Sequence, residues 1–220
     1  MTKNIAVICD LDVLLVDSEP LHWHAYREVL EPFGLDITQE KFAESWLSGK
    51  HYGTTFYLNK VGVTDPAKIA EIREQKSDKF IEIATGVLPL MPGVQEFLDL
   101  LEKEGIPCAV GTGGHRKEYD FTKIECNLDR IKTWVGGDEV EHNKPAPDIF
   151  LAAAAELGAK PENCVVFENS DIGLSAAINA GMKTIAIPSP YTKKQDFSSA
   201  DAILSSLKEI TLPKLYEICG

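Results

Sequence analysis

Apolar residues run without a break from Ile5 to Cys9 and then give way to Asp10-Leu11-Asp12. A short continuous apolar run is the pattern of a strand buried on both faces of a parallel sheet. From about residue 87 onward, strand and helix patterns alternate. Pro92-Gly93 opens a helix in which Val94, Phe97, Leu98 and Leu101 share one face, and Gly105 stands where a C-terminal cap belongs. Ile106 to Gly111 reads as the next strand, Trp134-Val135 as another, and Cys164-Val165-Val166-Phe167 as one more. A helix is predicted from near Pro147 to just before Gly158, and a small-residue helix from Gly173 to Ala180. Thr184 to Ile187 is the last predicted core strand. This alternation predicts an α/β fold, a Rossmann-like parallel sheet with helices on both faces.

The stretch from about Pro20 to Gly86 breaks the rhythm. Leu21 to Leu30 and Ala67 to Ala84 carry helical patterns, and no convincing strand separates them. The simplest organisation is a core of residues 1–16 and 87–220 with a small all-helical cap, residues 17–86, inserted after the first strand. Its two links would be hinges near Val16-Asp17 and Gly86-Val87, and closure over the sheet end that carries Asp10 would exclude water there.

Composition narrows the partners. The 220-residue chain has a formal charge of −12, which excludes nucleic acid as an expected ligand, since no basic stripe offsets the acidic excess. An acidic protein that handles anionic metabolites needs local cations, so single Lys and His residues gain interest. Cys9, Cys108, Cys126, Cys164 and Cys219 form no CxxC pair and no zinc spacing, which suits a reducing compartment. Asp10 and Asp12 interrupt the apolar run at the N-terminus, so neither a signal peptide nor a membrane span is expected. The expected location is the cytoplasm.

Side chains two apart on a strand point the same way, so Asp10 and Asp12 would face one spot beyond the carboxyl end of the sheet. Two readings of the pair stand at this point. One is a divalent metal site with an aspartate free to attack an electrophile; the other is a strand-end turn with a helix cap. Three more strand ends carry polar groups. Val110-Gly111-Thr112-Gly113-Gly114, a strand running into a glycine-rich turn and then a helix candidate, offers a hydroxyl and backbone N–H groups suited to an oxyanion or phosphate, or is an ordinary glycine turn. Lys144-Pro145-Ala146-Pro147-Asp148 sets a lysine in a stiff segment, aimed or merely solvated. Phe167-Glu168-Asn169-Ser170-Asp171 offers oxygen ligands of the kind Mg²⁺ takes, or a capped helix start.

Taken together and in order, these segments resemble the haloacid dehalogenase-like hydrolases over essentially the whole chain. Asp10-Leu11-Asp12 with Leu14-Leu15-Val16-Asp17-Ser18-Glu19 is similar to that family's first motif and Thr112 to its second. Lys144 in KPAPDIF is similar to the third, and ENSDIGLSAAINAGM to the fourth. The inserted helices resemble the small cap of the β-phosphoglucomutase-like and phosphatase members. The resemblance implies that Asp10 attacks a phosphate monoester and that Asp12 serves as general acid and base. It implies that Mg²⁺ sits among Asp10, Asp12 and the Glu168-Asn169 pair, while Thr112, Gly113 and Lys144 hold the phosphate oxygens.

Two positions depart from the family pattern. Val13 follows the second aspartate where glycine is usual, which implies a different local path. Asn169 replaces an acidic residue, which implies weaker metal affinity, with Glu168 or Asp171 compensating. Substrate choice is expected in the cap, with Lys50 and His51 of the loop Ser48-Gly49-Lys50-His51-Tyr52-Gly53 as candidates, beside His22 and His24 near the hinge. A mutase needs a firm grip on a second phosphate, ideally an arginine, and the two cap arginines, Arg27 and Arg73, lie outside that loop. The expected activity is therefore hydrolysis of a small phosphorylated metabolite, a sugar or polyol phosphate, by a monomer or weak homodimer. A β-phosphoglucomutase-type mutase is the alternative, followed by a catalytically weak binding protein.

Overall fold

The computed structural model describes residues 5–47 and 53–219. Strand β1 (Ala6–Cys9) leads into four helices: α1 (Glu19–Leu30), α2 (Gln39–Trp46), α3 (Thr54–Lys60) and α4 (Pro66–Ala84). Then follow α5 (Val94–Lys103), β2 (Cys108–Gly111), α6 (Arg116–Glu125), β3 (Thr133–Val135) and α7 (Asp148–Glu156). The chain closes with β4 (Cys164–Glu168), α8 (Asp171–Asn179), β5 (Lys183–Ala186), β6 (Ala202–Ile203) and α9 (Leu212–Cys219). The six strands form one sheet in the order β3-β2-β1-β4-β5-β6, and each neighbouring pair is parallel. The predicted α/β fold is the observed one. Missing from the sequence reading were α2, α3, α9 and the two-residue edge strand β6, all too short to show a period.

Alternation along the strands sends side chains to two apolar layers. Val7 and Cys9 of β1 join Val165 and Phe167 of β4 on one face, while Ala6 and Ile8 join Cys164 and Val166 on the other. The helices between β1 and α5 hold an apolar cluster of their own, built on Leu30, Ile37, Phe42, Leu58, Ile69 and Ile72. Within α4, Asp65 caps the start by accepting from the Ala67 N–H at 3.0 Å, and Pro66 occupies the first turn. Its buried face carries Ile69, Ile72, Lys76, Ser77, Phe80 and Ala84 at three- and four-residue steps, so two polar residues face inward among the apolar ones.

The two connections to this helical insert run side by side. Val16 bridges Leu90, and the Asp17 N–H donates to the Pro89 carbonyl at 2.9 Å. Val13 does not take the different path expected of a β-branched residue. It adopts φ 60°, the conformation glycine favours, and its N–H donates to the Val16 carbonyl at 2.7 Å. That geometry costs about 1–2 kcal/mol for an L-residue. Burial of the side chain, which is 2% exposed, offsets it by a similar amount. No helix among the described residues is long and apolar enough to cross a membrane.

Candidate active site

The three central strands β2, β1 and β4 end side by side, and their ends supply Thr112, Asp10 and Glu168 to one cavity of about 700 Å³. Asp12, Gly113, Lys144 and Asn169 line the same cavity. Seven of the predicted site residues therefore meet in one place. Lys50 and His51 lie outside the described residues, although Leu47 just before that loop and Gly53 at its end also line the cavity.

Lys144 arrives from the loop after β3 and bridges two carboxylates. Its Nζ donates to Asp10 Oδ1 at 2.6 Å and to Glu168 Oε1 at 2.8 Å, above the Phe150 ring. All three residues are nearly sealed from water, and the two carboxylates hold Lys144 well above its ordinary pKa against its burial. Glu168, expected among the metal ligands, instead directs its second oxygen to the start of α8. There Oε2 accepts from the N–H groups of Asn169 and Ser170 at 2.8 and 2.9 Å, and from the Ser170 hydroxyl at 2.9 Å. Gly173 makes room for this carboxylate: a Cβ there would lie 1.7 Å from Glu168 Oε1.

Asp10 and Asp12 experience opposite fields. Burial, reinforced by the Glu168 and Asp12 charges, pushes Asp10 up to about 7 despite the pull of Lys144. Burial also pushes Asp12 up, but His22, the Ser18 hydroxyl and Lys76 outweigh it and hold Asp12 at about 2. The Ser18 hydroxyl donates to Asp12 Oδ1 at 2.5 Å, and His22 Nε2 lies 3.1 Å from the same oxygen. His22 stacks on Phe80 with ring centroids 3.9 Å apart, and its Nδ1 lies 2.7 Å from Lys76 Nζ. His24 is exposed on another side of α1, against Trp23.

On the β2 side, the Gly114 N–H donates to Thr112 Oγ1 at 3.0 Å, and Asn143 Nδ2 donates to the Gly113 carbonyl at 3.0 Å. Gly137 completes this turn, because a Cβ there would lie 2.2 Å from Asn143 Nδ2.

Several lining residues were not singled out from sequence. Glu19 is buried, and its Oε2 has no hydrogen-bond partner among the described residues. Burial and the neighbouring Asp12 and Asp10 charges raise its pKa well above the usual carboxylate range. The Trp46 Nε1–H is buried and likewise unpartnered among the described residues, and its ring stacks on Tyr57 at 5.3 Å and packs against Tyr26 at 4.7 Å. Arg73, set aside from sequence because it lies outside the cap loop, also lines the cavity, with Nη2 donating to Thr55 Oγ1 at 2.7 Å. Lys76 and Glu118 are further charged lining residues that only packing revealed. For α4, the signal was the polar pair Lys76-Ser77 interrupting its apolar face.

Comparison with known proteins gives a consistent picture. A family model described as haloacid dehalogenase-like hydrolase matches residues 7–187. The protein CbbY of Rhodobacter capsulatus is 34% identical over 207 residues, 89% of this chain and 90% of that one. Hexitol phosphatase B of Escherichia coli is 29% identical over 215 residues, 96% of each. The solved structure of CbbY from Rhodobacter sphaeroides in complex with phosphate superposes with a TM-score of 0.82 at 29% identity, covering 93% of this chain and 95% of that one.

Proposed function

The chain belongs to the haloacid dehalogenase-like hydrolases, and from that premise we propose that it hydrolyses the phosphate monoester of a small sugar or polyol. The observation that carries this reading is the arrangement at the strand ends. Asp10 is buried against Lys144, and Asp12 two residues on is held separately by Ser18 and His22. Support also comes from the relatives, among them the hexitol phosphatase of Escherichia coli.

Asp10 attacks phosphorus, the P–O bond to the leaving group breaks, and an aspartyl-phosphate forms. Asp12, ionised in the free site, takes up a proton once the phosphate dianion is bound, gives it to the departing alkoxide oxygen, and then takes one from the water that cleaves the acyl-phosphate, releasing inorganic phosphate. Thr112 Oγ1, the Gly113 N–H and Lys144 Nζ hold the remaining phosphate oxygens. Glu168 acts through Lys144, fixing where its ammonium points.

The residues fit a hard divalent cation. The donors available there are all oxygens (the Asp10 carboxylate, the Asp12 carbonyl and the Asn169 amide), and burial, with the Glu168 and Asp12 charges beside it, disfavours an ionised Asp10 that no further cation compensates. Bound Mg²⁺ supplies the positive charge that keeps Asp10 ionised and neutralises the phosphate oxygens. Asn169 contributes no charge of its own, so the grip on the metal is weaker than a second carboxylate would give.

Residues 17–86 act as a cap over the core of 1–16 and 87–220. Its Trp46 N–H and the neighbouring Glu19 carboxyl meet the hydroxyl groups of the sugar, while the aromatic rings cover its C–H face. The enzyme works in the cytoplasm as a monomer or weak homodimer. A second reading, a phosphosugar mutase, is favoured by one observation: Arg73 lines the cavity, where a forked guanidinium would hold a second phosphate.

Phosphate release across a panel of sugar and polyol phosphates, run with Mg²⁺ beside an isomerisation assay on β-glucose 1-phosphate, separates the two. The expected result is net phosphate release that falls by about 10³-fold or more in Asp10→Asn. Isomerisation without net release would replace the phosphatase reading by the mutase.

A further inference from the structure

Lys76 stands at the meeting of three elements. Its Nζ lies 2.7 Å from His22 Nδ1 of α1 and donates to Glu118 Oε1 of α6 at 2.9 Å, with the Tyr26 and Phe80 rings beside it. The same Glu118 oxygen accepts from the Ser77 hydroxyl of α4 at 2.6 Å. Lys76, Ser77 and Glu118 are 5%, 2% and 6% exposed.

A lysine ammonium only donates, so His22 Nδ1 must accept and the ring proton sits on Nε2. That is the nitrogen facing Asp12 Oδ1 at 3.1 Å. The tautomer of His22 thus follows from the position of Lys76. What keeps Lys76 there is a carboxylate on the first turn of α6, the helix that begins just past the Thr112-Gly113 turn. Without it, the next carboxylate acting on Lys76 is that of Asp12 itself, and the ammonium is drawn toward the group His22 serves.

Stability alone is a poor account of this link. Taking an ion pair out of water sacrifices most of what its attraction gains, so a buried pair is weak evidence for stabilisation. The same α4–α6 seam already carries exposed pairs from Lys117 to Glu74 and Asp78. The content of the buried link is its geometry.

We propose that Glu118 is a positioning residue for the reaction: across the seam between α4 and α6 it fixes Lys76, and through Lys76 the orientation of His22 on Asp12. This rests on the reading of Asp12 as proton donor to the leaving group. A sugar phosphate needs that proton, whereas p-nitrophenyl phosphate, whose leaving group is a stable anion, does not. A loss of Asp12 positioning therefore lowers kcat/KM for the first substrate more than for the second. Damage to the fold lowers both alike.

The experiment compares Glu118→Gln and Asp12→Asn with the parent enzyme, with Mg²⁺ present, on the best sugar phosphate and on p-nitrophenyl phosphate. In Glu118→Gln, the ratio of the two kcat/KM values should fall about tenfold, part of the 10²–10⁴ that general acid catalysis supplies. Asp12→Asn should move the ratio further in the same direction. If Asp12→Asn shifts the ratio and Glu118→Gln does not, the role given to Glu118 is wrong. If Asp12→Asn leaves the ratio unchanged, the catalytic reading itself fails, and with it this proposal. Should Glu118→Gln not fold, Ser77→Ala removes one of the bonds that seats Glu118 while keeping its charge. A shift of about threefold in the ratio is then expected, and none overturns the proposal.

Discussion

The floor of the cavity and its helical wall are built by different rules. On the floor, Asp10, Thr112 and Glu168 stand at the ends of adjacent strands, so the hydrogen-bond register of β2, β1 and β4 sets their spacing. On the wall, Tyr26, Trp46 and Arg73 come from three helices, each placed by packing over the apolar cluster of the insert. The floor is dense in charge and almost dry; the wall mixes the rings of Tyr26, Phe42 and Trp46 with polar and charged side chains. In the proposed reaction, the part fixed by register meets the phosphate that all substrates share, and the part fixed by packing meets what varies between them.

The sharpest way to break this comparison is to strip the floor of its central cation. Lys144→Met leaves Asp10 and Glu168 buried without compensation, and should cost about 3–5 kcal/mol of stability in denaturant unfolding of the metal-free protein. A loss below about 1 kcal/mol would mean the floor does not depend on its charges. A smaller effect tests the metal side. Asn169→Asp adds a charged oxygen to the donor set and should tighten Mg²⁺ binding about tenfold by calorimetry; unchanged affinity would remove Asn169 from the site. The smallest effect belongs to the wall. Trp46→Leu should raise KM for the sugar phosphate about threefold with kcat held, the mark of lost uniform binding. An equal fall in kcat would draw Trp46 into the chemistry and blur the division.

The same division explains what could be read in the sequence. Each floor residue sits where a strand pattern ends or beside a glycine or proline turn, so Asp10, Asp12, Thr112, Lys144 and Glu168 were visible as local punctuation. The wall leaves no such mark. Trp46 and Arg73 are ordinary helix residues until α2 and α4 are packed over the sheet, and Glu118 is one of three acids on α6. The metal role expected of Glu168 could not be judged from its neighbours in sequence, because its partner Lys144 is 24 residues away. Val13 was misjudged for another reason: a tight hydrogen bond and full burial hold a valine where propensity asks for glycine.

The central place of β1 in the sheet bears on how the molecule is made. Val7 pairs with Cys108, and Ala6 with Cys164. β1 thus leaves the ribosome well before the strands it pairs with. Closing such long loops has an entropic cost and slows folding. The helices of the insert, whose contacts are local, emerge while β1 is still unpaired. Synthesis therefore presents a helical unit tethered to an idle strand, and Asp10, the proposed nucleophile, has strands on both sides only when β4 arrives.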